Sequence, residues 1–213
     1  MIDKELEQIY DSVSALIPQL QQLLDDIDAK RDEENNSDDV ITTYKIERMI
    51  EIEQDEVNKG IYVWGANGQD LNTMNNPEVW VKNREAHYSK DASVVANNVK
   101  RDMILYEKRK AKGVDPIRAF DCSGLQYYAG KAVDVFTADI NSRGIYAKCT
   151  PIDKTELKRG DFVFKHDGEK IVHVALYIGN GQVIESIGRD EGVVISKLRS
   201  EFNRFGRLES LWR

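Results

Sequence analysis

Cys122 and His173 are the two residues of this sequence whose types and setting could do chemistry together. The residues after Cys122 carry apolar side chains at helical spacing, at Leu125, Ala129, Ala132, Val133 and Phe136. His173 lies in the apolar run 171–178, which is rich in β-branched residues and ends at a Gly-Asn-Gly turn, as a short strand would. A thiol at the start of a helix faces unpaired N–H groups, which favour the thiolate. A cysteine on a helix that faces a histidine on a strand is an arrangement found in cysteine hydrolases.

The elements that must hold this pair follow from the pattern around it. After the helix that begins near Cys122, we predict short strands at Phe162–Lys165, around His173, at Gln182–Ile187 and at Gly192–Lys197. A helix followed by strands at turn-length spacing indicates an antiparallel sheet packed on that helix, which is an α+β arrangement.

Four blocks of residues follow one another along the chain, namely Tyr62–Gly65, Phe120–Leu125, Leu157–Phe164 and His173–Gly181. Together they resemble the NlpC/P60 cell-wall cysteine peptidases, and the resemblance extends over residues 39–213. It implies a papain-like α+β fold in which the nucleophile helix packs on an antiparallel sheet. It also implies that the cysteine and the histidine singled out above are the catalytic nucleophile and base.

The third catalytic group is where the sequence departs from this family. The family usually places a histidine or another small polar residue twelve positions after the base, and here that position is Glu185. A carboxylate can accept a hydrogen bond from imidazole Nδ1–H and hold the other nitrogen toward Cys122. It would also stabilise the imidazolium. We therefore predict that Glu185 orients His173.

The register of the hairpin decides whether Glu185 can do so, because strand side chains alternate between faces. A two-residue loop would pair Leu176 with Glu185 and place the glutamate on the wrong face. A three-residue Gly179–Gly181 loop would pair Ala175 with Glu185, on the same face as His173. We predict the three-residue loop.

The resemblance also assigns residues around the nucleophile. Tyr62 matches a tyrosine that lines the family's active site, and its hydroxyl could meet the oxyanion together with N–H groups at the start of the Cys122 helix. Asp121 and Ser123 match positions that contact the amino terminus of the substrate in relatives. Asp121 is equally suited to cap the helix, so both roles stay open. Trp64 is predicted to belong to the core.

The function that the resemblance implies is that of a peptidoglycan endopeptidase. It would cleave the stem peptide, at the bond between D-Glu and a diamino acid, through an acyl-enzyme on Cys122. Two alternatives stay open: an N-acetylmuramoyl-L-alanine amidase, and a non-catalytic phage or cell-wall assembly module. The first residues lack the basic region and apolar core of a signal peptide. We therefore expect a phage lysin or tail-associated hydrolase, cytoplasmic until release or carried on a virion.

Composition and the remaining cysteine and histidines exclude other classes. A net charge of −7 argues against nucleic acid as the main partner, and no stretch has the apolar length of a membrane span. The histidines at 87, 166 and 173 lack the paired spacing of a zinc site, so we expect no metal and no cofactor. Two cysteines without a signal peptide do not indicate a disulfide, and we interpret Cys149 as an ordinary strand or loop residue.

The chain divides into three parts. Residues 1–29 carry apolar side chains at alternating spacings of three and four, which predicts a helix with a coiled-coil seam that Pro18 should kink. This helix could self-associate, dock on a partner or pack on the catalytic domain. Residues 30–39 contain no apolar group and predict an acidic linker. Residues 40–213 form the catalytic domain, with an insertion at 69–119 that we interpret as a lid or substrate-binding subdomain rather than as a surface elaboration.

Overall fold

The computed structural model describes residues 12–27 and 38–212, and the chain divides into two compact units, residues 1–43 and 44–213. In the first unit, residues 12–27 form helix α1, which continues through Pro18. The large aliphatic side chains of this helix are 49% to 59% exposed. The other residues of the predicted heptad segment and most of the predicted linker lie outside the described residues. The last two linker residues, Asp38 and Asp39, are already helical.

The helices that follow are α2 (Asp38–Asp55), α3 (Pro77–Tyr88), α4 (Ala92–Ala111), α5 (Cys122–Ala132) and α6 (Ser142–Ala147). The strands are β1 (Ile61–Tyr62), β2 (Asn67–Asp70), β3 (Arg118–Phe120), β4 (Cys149–Pro151), β5 (Phe162–His166), β6 (Ile171–Gly179), β7 (Gln182–Gly188), β8 (Gly192–Lys197) and β9 (Arg204–Leu208). No helix in the described ranges is long and apolar enough to cross a bilayer.

The main sheet has six strands in the order β4-β9-β5-β6-β7-β8, and every neighbouring pair is antiparallel. Helix α5 packs on strands β6 and β7. The contact is an apolar cluster that includes Leu125, Ala129, Val174, Leu176 and Ile184. The α+β prediction, with the nucleophile helix on an antiparallel sheet, is confirmed.

The loop between β6 and β7 is shorter than predicted. It consists of Asn180 and Gly181, since β6 ends at Gly179 and β7 begins at Gln182. Both loop residues have left-handed φ angles, 52° and 68°, which Asn and Gly adopt at low cost. The predicted three-residue loop is therefore wrong.

A bulge in β6 restores the predicted register. The pairing shifts by one residue between Tyr177 and Gly179, so that Leu176 pairs with Ile184. In that register Ala175 lies opposite Glu185, which is the pairing that the three-residue loop was expected to produce. The extra residue lies in the strand rather than in the turn, and its effect on the face of Glu185 is the same.

The insertion builds a second, smaller core. Strands β1 and β3 are parallel, and β2 pairs with β3 in the antiparallel sense. Helices α3 and α4 pack against each other and on this three-stranded sheet. Their shared apolar cluster includes Ile61, Val63, Leu71, Val81, Val95, Val99, Leu105 and Ile117. The sheet joins the Tyr62 block to the strand that leads into Cys122.

Candidate active site

Cys122 is the first residue of α5, and Asp121 caps this helix. Asp121 Oδ1 accepts hydrogen bonds from Gly124 N–H at 2.7 Å and from Ser123 Oγ at 3.0 Å. Asp121 Oδ2 accepts one from Gly65 N–H at 2.8 Å. Of the two roles that the sequence left open for Asp121, the structure shows the helix cap.

Gly124 lets the nucleophile helix approach the neighbouring backbone. A Cβ at this position would lie 1.9 Å from Ala66 O, so any larger residue would push the two segments apart. The same carbonyl accepts a hydrogen bond from Asp121 N–H at 2.9 Å. The glycine of the Asp-Cys-Ser-Gly motif is therefore needed for packing Cys122 against the Tyr62–Gly65 block.

His173 binds Glu185 through Nε2, at 2.7 Å from Oε2. The prediction had assigned this contact to Nδ1 and is wrong on that point, because Glu185 comes from the neighbouring strand and reaches the far nitrogen of the ring. This leaves Nδ1 as the ring nitrogen available to the Cys122 thiol. Burial lowers the pKa of His173, but the interactions with Cys122 and Glu185 outweigh burial and raise it to about 9.

Glu185 is fully buried and its charge is held by two residues that the sequence analysis did not find. The two Nη atoms of Arg199 donate to its two oxygens, at 2.6 and 3.0 Å, and Ser196 Oγ donates to Oε1. Burial raises the pKa of Glu185, yet the hydrogen bonds from His173, Arg199 and Ser196 bring it down to about 2. The carboxylate is therefore ionised and oriented before any substrate arrives.

A register argument could have found Ser196 but not Arg199. In the β7–β8 pairing Ser196 lies opposite Val183, two residues from Glu185 and on the same face. Arg199 lies beyond the end of β8, where strand alternation no longer specifies direction. The Arg199 guanidinium lies 5.1 Å from the ring centre of Phe202, whose ring centre is 5.9 Å from that of His173.

Tyr62, Asp121, Cys122 and Ser123 line one cavity of about 630 Å³. Burial, with the nearby charges of Cys122 and Asp121, raises the pKa of Tyr62, so its hydroxyl stays protonated and can donate. His173 interacts with Cys122 and is hydrogen-bonded to Glu185, so the structure brings all six predicted site residues together. A second cavity, of about 670 Å³, extends on the side of His173 and is lined by Lys165, Arg101, Arg189 and Arg199.

The insertion reaches the first cavity through Tyr88, at the end of α3. Its ring stacks on Trp64, with centroids 5.2 Å apart and planes 11° apart. Trp64 is 41% exposed and lines both cavities, so its predicted place in the core is wrong. The left-handed turn at Gly65, with φ of 70°, follows Trp64, and Tyr88 lies so close that a Cβ on Gly65 would be 2.2 Å from its hydroxyl.

A buried ionic cluster joins the insertion to the loop after β7. Arg189 binds Glu85 of α3 at 2.8 and 2.9 Å and Asp102 of α4 at 2.7 and 2.9 Å. Its guanidinium lies 5.2 Å from the ring centre of Tyr62. Glu85 also accepts the backbone N–H of Trp64 at 3.0 Å. The insertion is thus bonded to the block that carries Tyr62 and Trp64.

The remaining cysteine and histidines lie apart from this chemistry. Cys149 is a free, buried thiol in β4, and burial raises its pKa to about 12. His87 is exposed and meets Tyr88 edge to face, and His166 ends β5. Over residues 12–27 and 38–212, no three His, Cys, Asp or Glu side chains are grouped so that they could hold a metal ion.

A family profile and individual relatives indicate the same family for this chain. The profile of the NlpC/P60 family matches residues 59–205, which is more than half of the chain. The murein DD-endopeptidase MepH of Escherichia coli is 35% identical over 94 residues, which cover 42% of this chain and 35% of MepH. The peptidoglycan endopeptidase RipB of Mycobacterium tuberculosis is 38% identical over 96 residues, covering 42% and 37%. The alignments thus span well under half of these relatives.

A solved structure extends the similarity over most of the chain. The P60 domain of an antigen from Mycobacterium avium subspecies paratuberculosis is 25% identical and superposes with a TM-score of 0.50. The superposition covers 78% of this chain and 96% of that domain.

Proposed function

This chain belongs to the NlpC/P60 family, and on that premise we propose that it is a cysteine peptidase that hydrolyses peptidoglycan with Cys122 as its nucleophile. The observation that carries the proposal is the series Cys122–His173–Glu185 beside a cavity, in which His173 interacts with Cys122 and is hydrogen-bonded to Glu185. A thiol at a helix N-terminus, a base beside it and a buried carboxylate that orients the base are the parts that acyl transfer requires.

Acylation follows from this geometry. The Cys122 thiolate attacks the carbonyl carbon of the peptide bond, and the imidazolium of His173 donates its Nδ1 proton to the leaving amine as the C–N bond breaks. His173 then takes a proton from a water molecule that attacks the thioester, which releases the acid and returns the thiolate beside the imidazolium. Glu185 stays ionised throughout and stabilises the imidazolium, which is consumed in acylation and forms again in deacylation.

The oxyanion has two donors available. The first N–H groups of a helix lack intrahelical partners, and that of Cys122 itself is one of them. Asp121 accepts a hydrogen bond from Gly124 N–H, whereas the backbone N–H of Cys122 remains for the substrate oxygen. The protonated hydroxyl of Tyr62, in the same cavity, supplies the second donor.

The substrate that we propose is the peptidoglycan stem peptide, cut between D-Glu and the diamino acid. The names of two relatives support peptidoglycan as the substrate class, since MepH is a murein DD-endopeptidase and RipB a peptidoglycan endopeptidase. The bond itself rests on the four sequence blocks that this chain shares with the family. MepH is a DD-endopeptidase, so cleavage of the peptide cross-link is the alternative to cleavage after D-Glu. The experiment must distinguish these two bonds.

Mass spectrometry of muropeptides after incubation with wild-type protein and with Cys122→Ala tests the proposal. A fragment ending in D-Glu, released by wild type and absent with Cys122→Ala, is the expected result. Cys149→Ala is the matched control and should cleave as wild type does, because Cys149 lies in β4 and lines neither described cavity. A free muramoyl end would identify an amidase instead, and loss of cross-links alone a DD-endopeptidase. Identical digests from wild type and Cys122→Ala would refute the cysteine mechanism.

A further inference from the structure

Trp64 and Tyr88 form an aromatic wall on the Cys122 cavity. The rings are nearly parallel, and the two residues are 41% and 43% exposed. Large aromatic side chains usually bury most of their surface, so an exposed stacked pair beside a catalytic cysteine is an unused binding surface. The wall lies on the same cavity as Tyr62, Asp121 and Ser123.

The wall is held in place from three sides. The backbone N–H of Trp64 donates to the buried carboxylate of Glu85, and the next N–H, that of Gly65, donates to Asp121. The ring of Tyr88 packs over Gly65 in the space where a side chain would be. A surface that is rigid before binding loses little conformational entropy when a ligand covers it.

Asp121 is poorly placed to select a free amine on this side of the cavity. Its two oxygens already accept from Gly124 N–H, Ser123 Oγ and Gly65 N–H. Burial raises its pKa, which opposes the charge that would attract an ammonium group. The amino end of the substrate therefore need not be a free amine, and the group attached to it would lie near the wall.

We propose that the aromatic wall binds the N-acetylated amino sugar to which the stem peptide is attached, so that this protein acts on peptides still linked to the glycan strand. The inference rests on the proposed function. A pyranose ring presents a face of polarised C–H groups, and the face of an aromatic ring carries the negative side of its quadrupole. Tyr88 comes from the insertion, so the sugar subsite is the contribution of residues 69–119 to specificity.

The test compares two substrates that differ only in the sugar. One is the stem tetrapeptide, and the other is the same tetrapeptide attached to N-acetylmuramic acid. With Tyr88→Ala, the ratio of kcat/KM for the muramoyl substrate to kcat/KM for the free peptide should fall by about three- to tenfold, the range of one aromatic contact. Tyr88→Phe keeps the ring and should keep the ratio. Tyr44→Ala removes an exposed tyrosine from α2, away from the aromatic wall, and should also leave the ratio unchanged.

A binding measurement separates this proposal from the activity. Isothermal calorimetry of Cys122→Ala should show tighter binding of N-acetylmuramoyl-L-alanyl-D-isoglutamine than of the dipeptide without the sugar. Adding Tyr88→Ala should remove that difference. If wild type cleaves neither substrate, the proposed function fails while this comparison still decides the sugar subsite. Equal binding of the two ligands, or an unchanged kcat/KM ratio in Tyr88→Ala, would overturn the subsite.

Discussion

Glu185 needs its two supporting residues because it is buried. A carboxylate out of contact with water tends to take up a proton, which would remove the acceptor that His173 needs. Arg199 and Ser196 prevent this by donating to both oxygens, and the pKa of Glu185 falls to about 2. A glutamate at this position therefore works only together with the donors behind it.

Replacing Glu185 by Gln should separate orientation from charge. The amide keeps the size of the side chain but cannot stabilise the imidazolium, so we expect kcat to fall by about 10²- to 10⁴-fold. The pKa of His173, raised to about 9 partly by Glu185, should fall, and the alkaline limb of the kcat/KM profile should move to lower pH. A pH–rate profile checks this. An alkaline limb at the wild-type position would show that Glu185 does not act on His173.

Arg199→Met should make the protein more sensitive to acid. The folded pKa of Glu185, about 2, lies below its ordinary value of 4.5, so its contribution to stability is present above pH 4.5 and is lost as the pH falls toward 2. Without Arg199 the folded pKa rises, and the midpoint of acid unfolding should move to higher pH. Circular dichroism during acid titration measures it, with Arg204→Met, an exposed cation of β9, as the control. Equal midpoints in the two variants would contradict this role for Arg199.

At the scale of elements, strand alternation predicted more than loop chemistry did. Strands β5 to β8 and the helix of Cys122 lie where the sequence predicted them, and so does the face of Glu185. The loop length was wrong because a bulge and a longer turn shift the register equally, and the sequence Gly179–Gly181 suits both. Register could be predicted because one face of the strand must be buried, whereas the place of the extra residue could not.

The parts of the site that could not be predicted come from distant segments of the chain. Arg199 follows a strand end, and Tyr88 is the last residue of α3 in the insertion. Neither position has a periodic pattern that fixes its neighbours. Their contacts with Glu185 and Trp64 depend on how elements pack, which local propensity does not specify.

The buried cluster around Arg189 should hold the insertion on the fold. Arg189→Met leaves the fully buried carboxylates of Glu85 and Asp102 without their partner, which should lower the free energy of unfolding by about 3–5 kcal/mol at pH 8. Burial raises the pKa of Asp102 to about 7, so at pH 5 it takes up a proton and the loss should be smaller.

Urea denaturation at both pH values measures this loss, and a neighbouring ion pair provides the control. Arg101 also links the insertion to the loop after β7, through Asp190, but both side chains are largely exposed. Arg101→Ala should therefore cost no more than about 1 kcal/mol. If the two arginine variants lost similar stability, burial of the cluster would not be what fastens the insertion.

At the scale of the whole molecule, helix α1 carries an apolar seam that the described residues leave exposed. Its side chains at Val13, Leu16, Leu20, Leu23 and Ile27 follow the spacing of coiled-coil core positions. Two copies of this helix could bury the seam against each other, and the described residues 12–24 carry no charged side chain that would oppose it.

We expect the full chain to self-associate through this seam. Leu16→Asp combined with Leu23→Asp should give a monomer, because a charge at a core position of a coiled coil is desolvated without a partner. Gln22→Asp, on the same helix but off the seam, should leave the assembly intact. Analytical ultracentrifugation of the three proteins decides the matter. A monomeric wild type would exclude self-association and leave docking on another protein as the role of the helix.

The difference between the two thiols would allow active molecules to be counted by covalent labelling. Both cysteines are 9% exposed, but Cys149 lines neither described cavity and burial raises its pKa to about 12, so it should not react with an electrophilic tag. Cys122 lines the active-site cavity and lies beside a base, so it should take up one tag per competent chain. The tagged fraction would then report how many molecules in a preparation, or on an isolated sacculus, have a working nucleophile. Such a count needs neither a substrate nor a mutation.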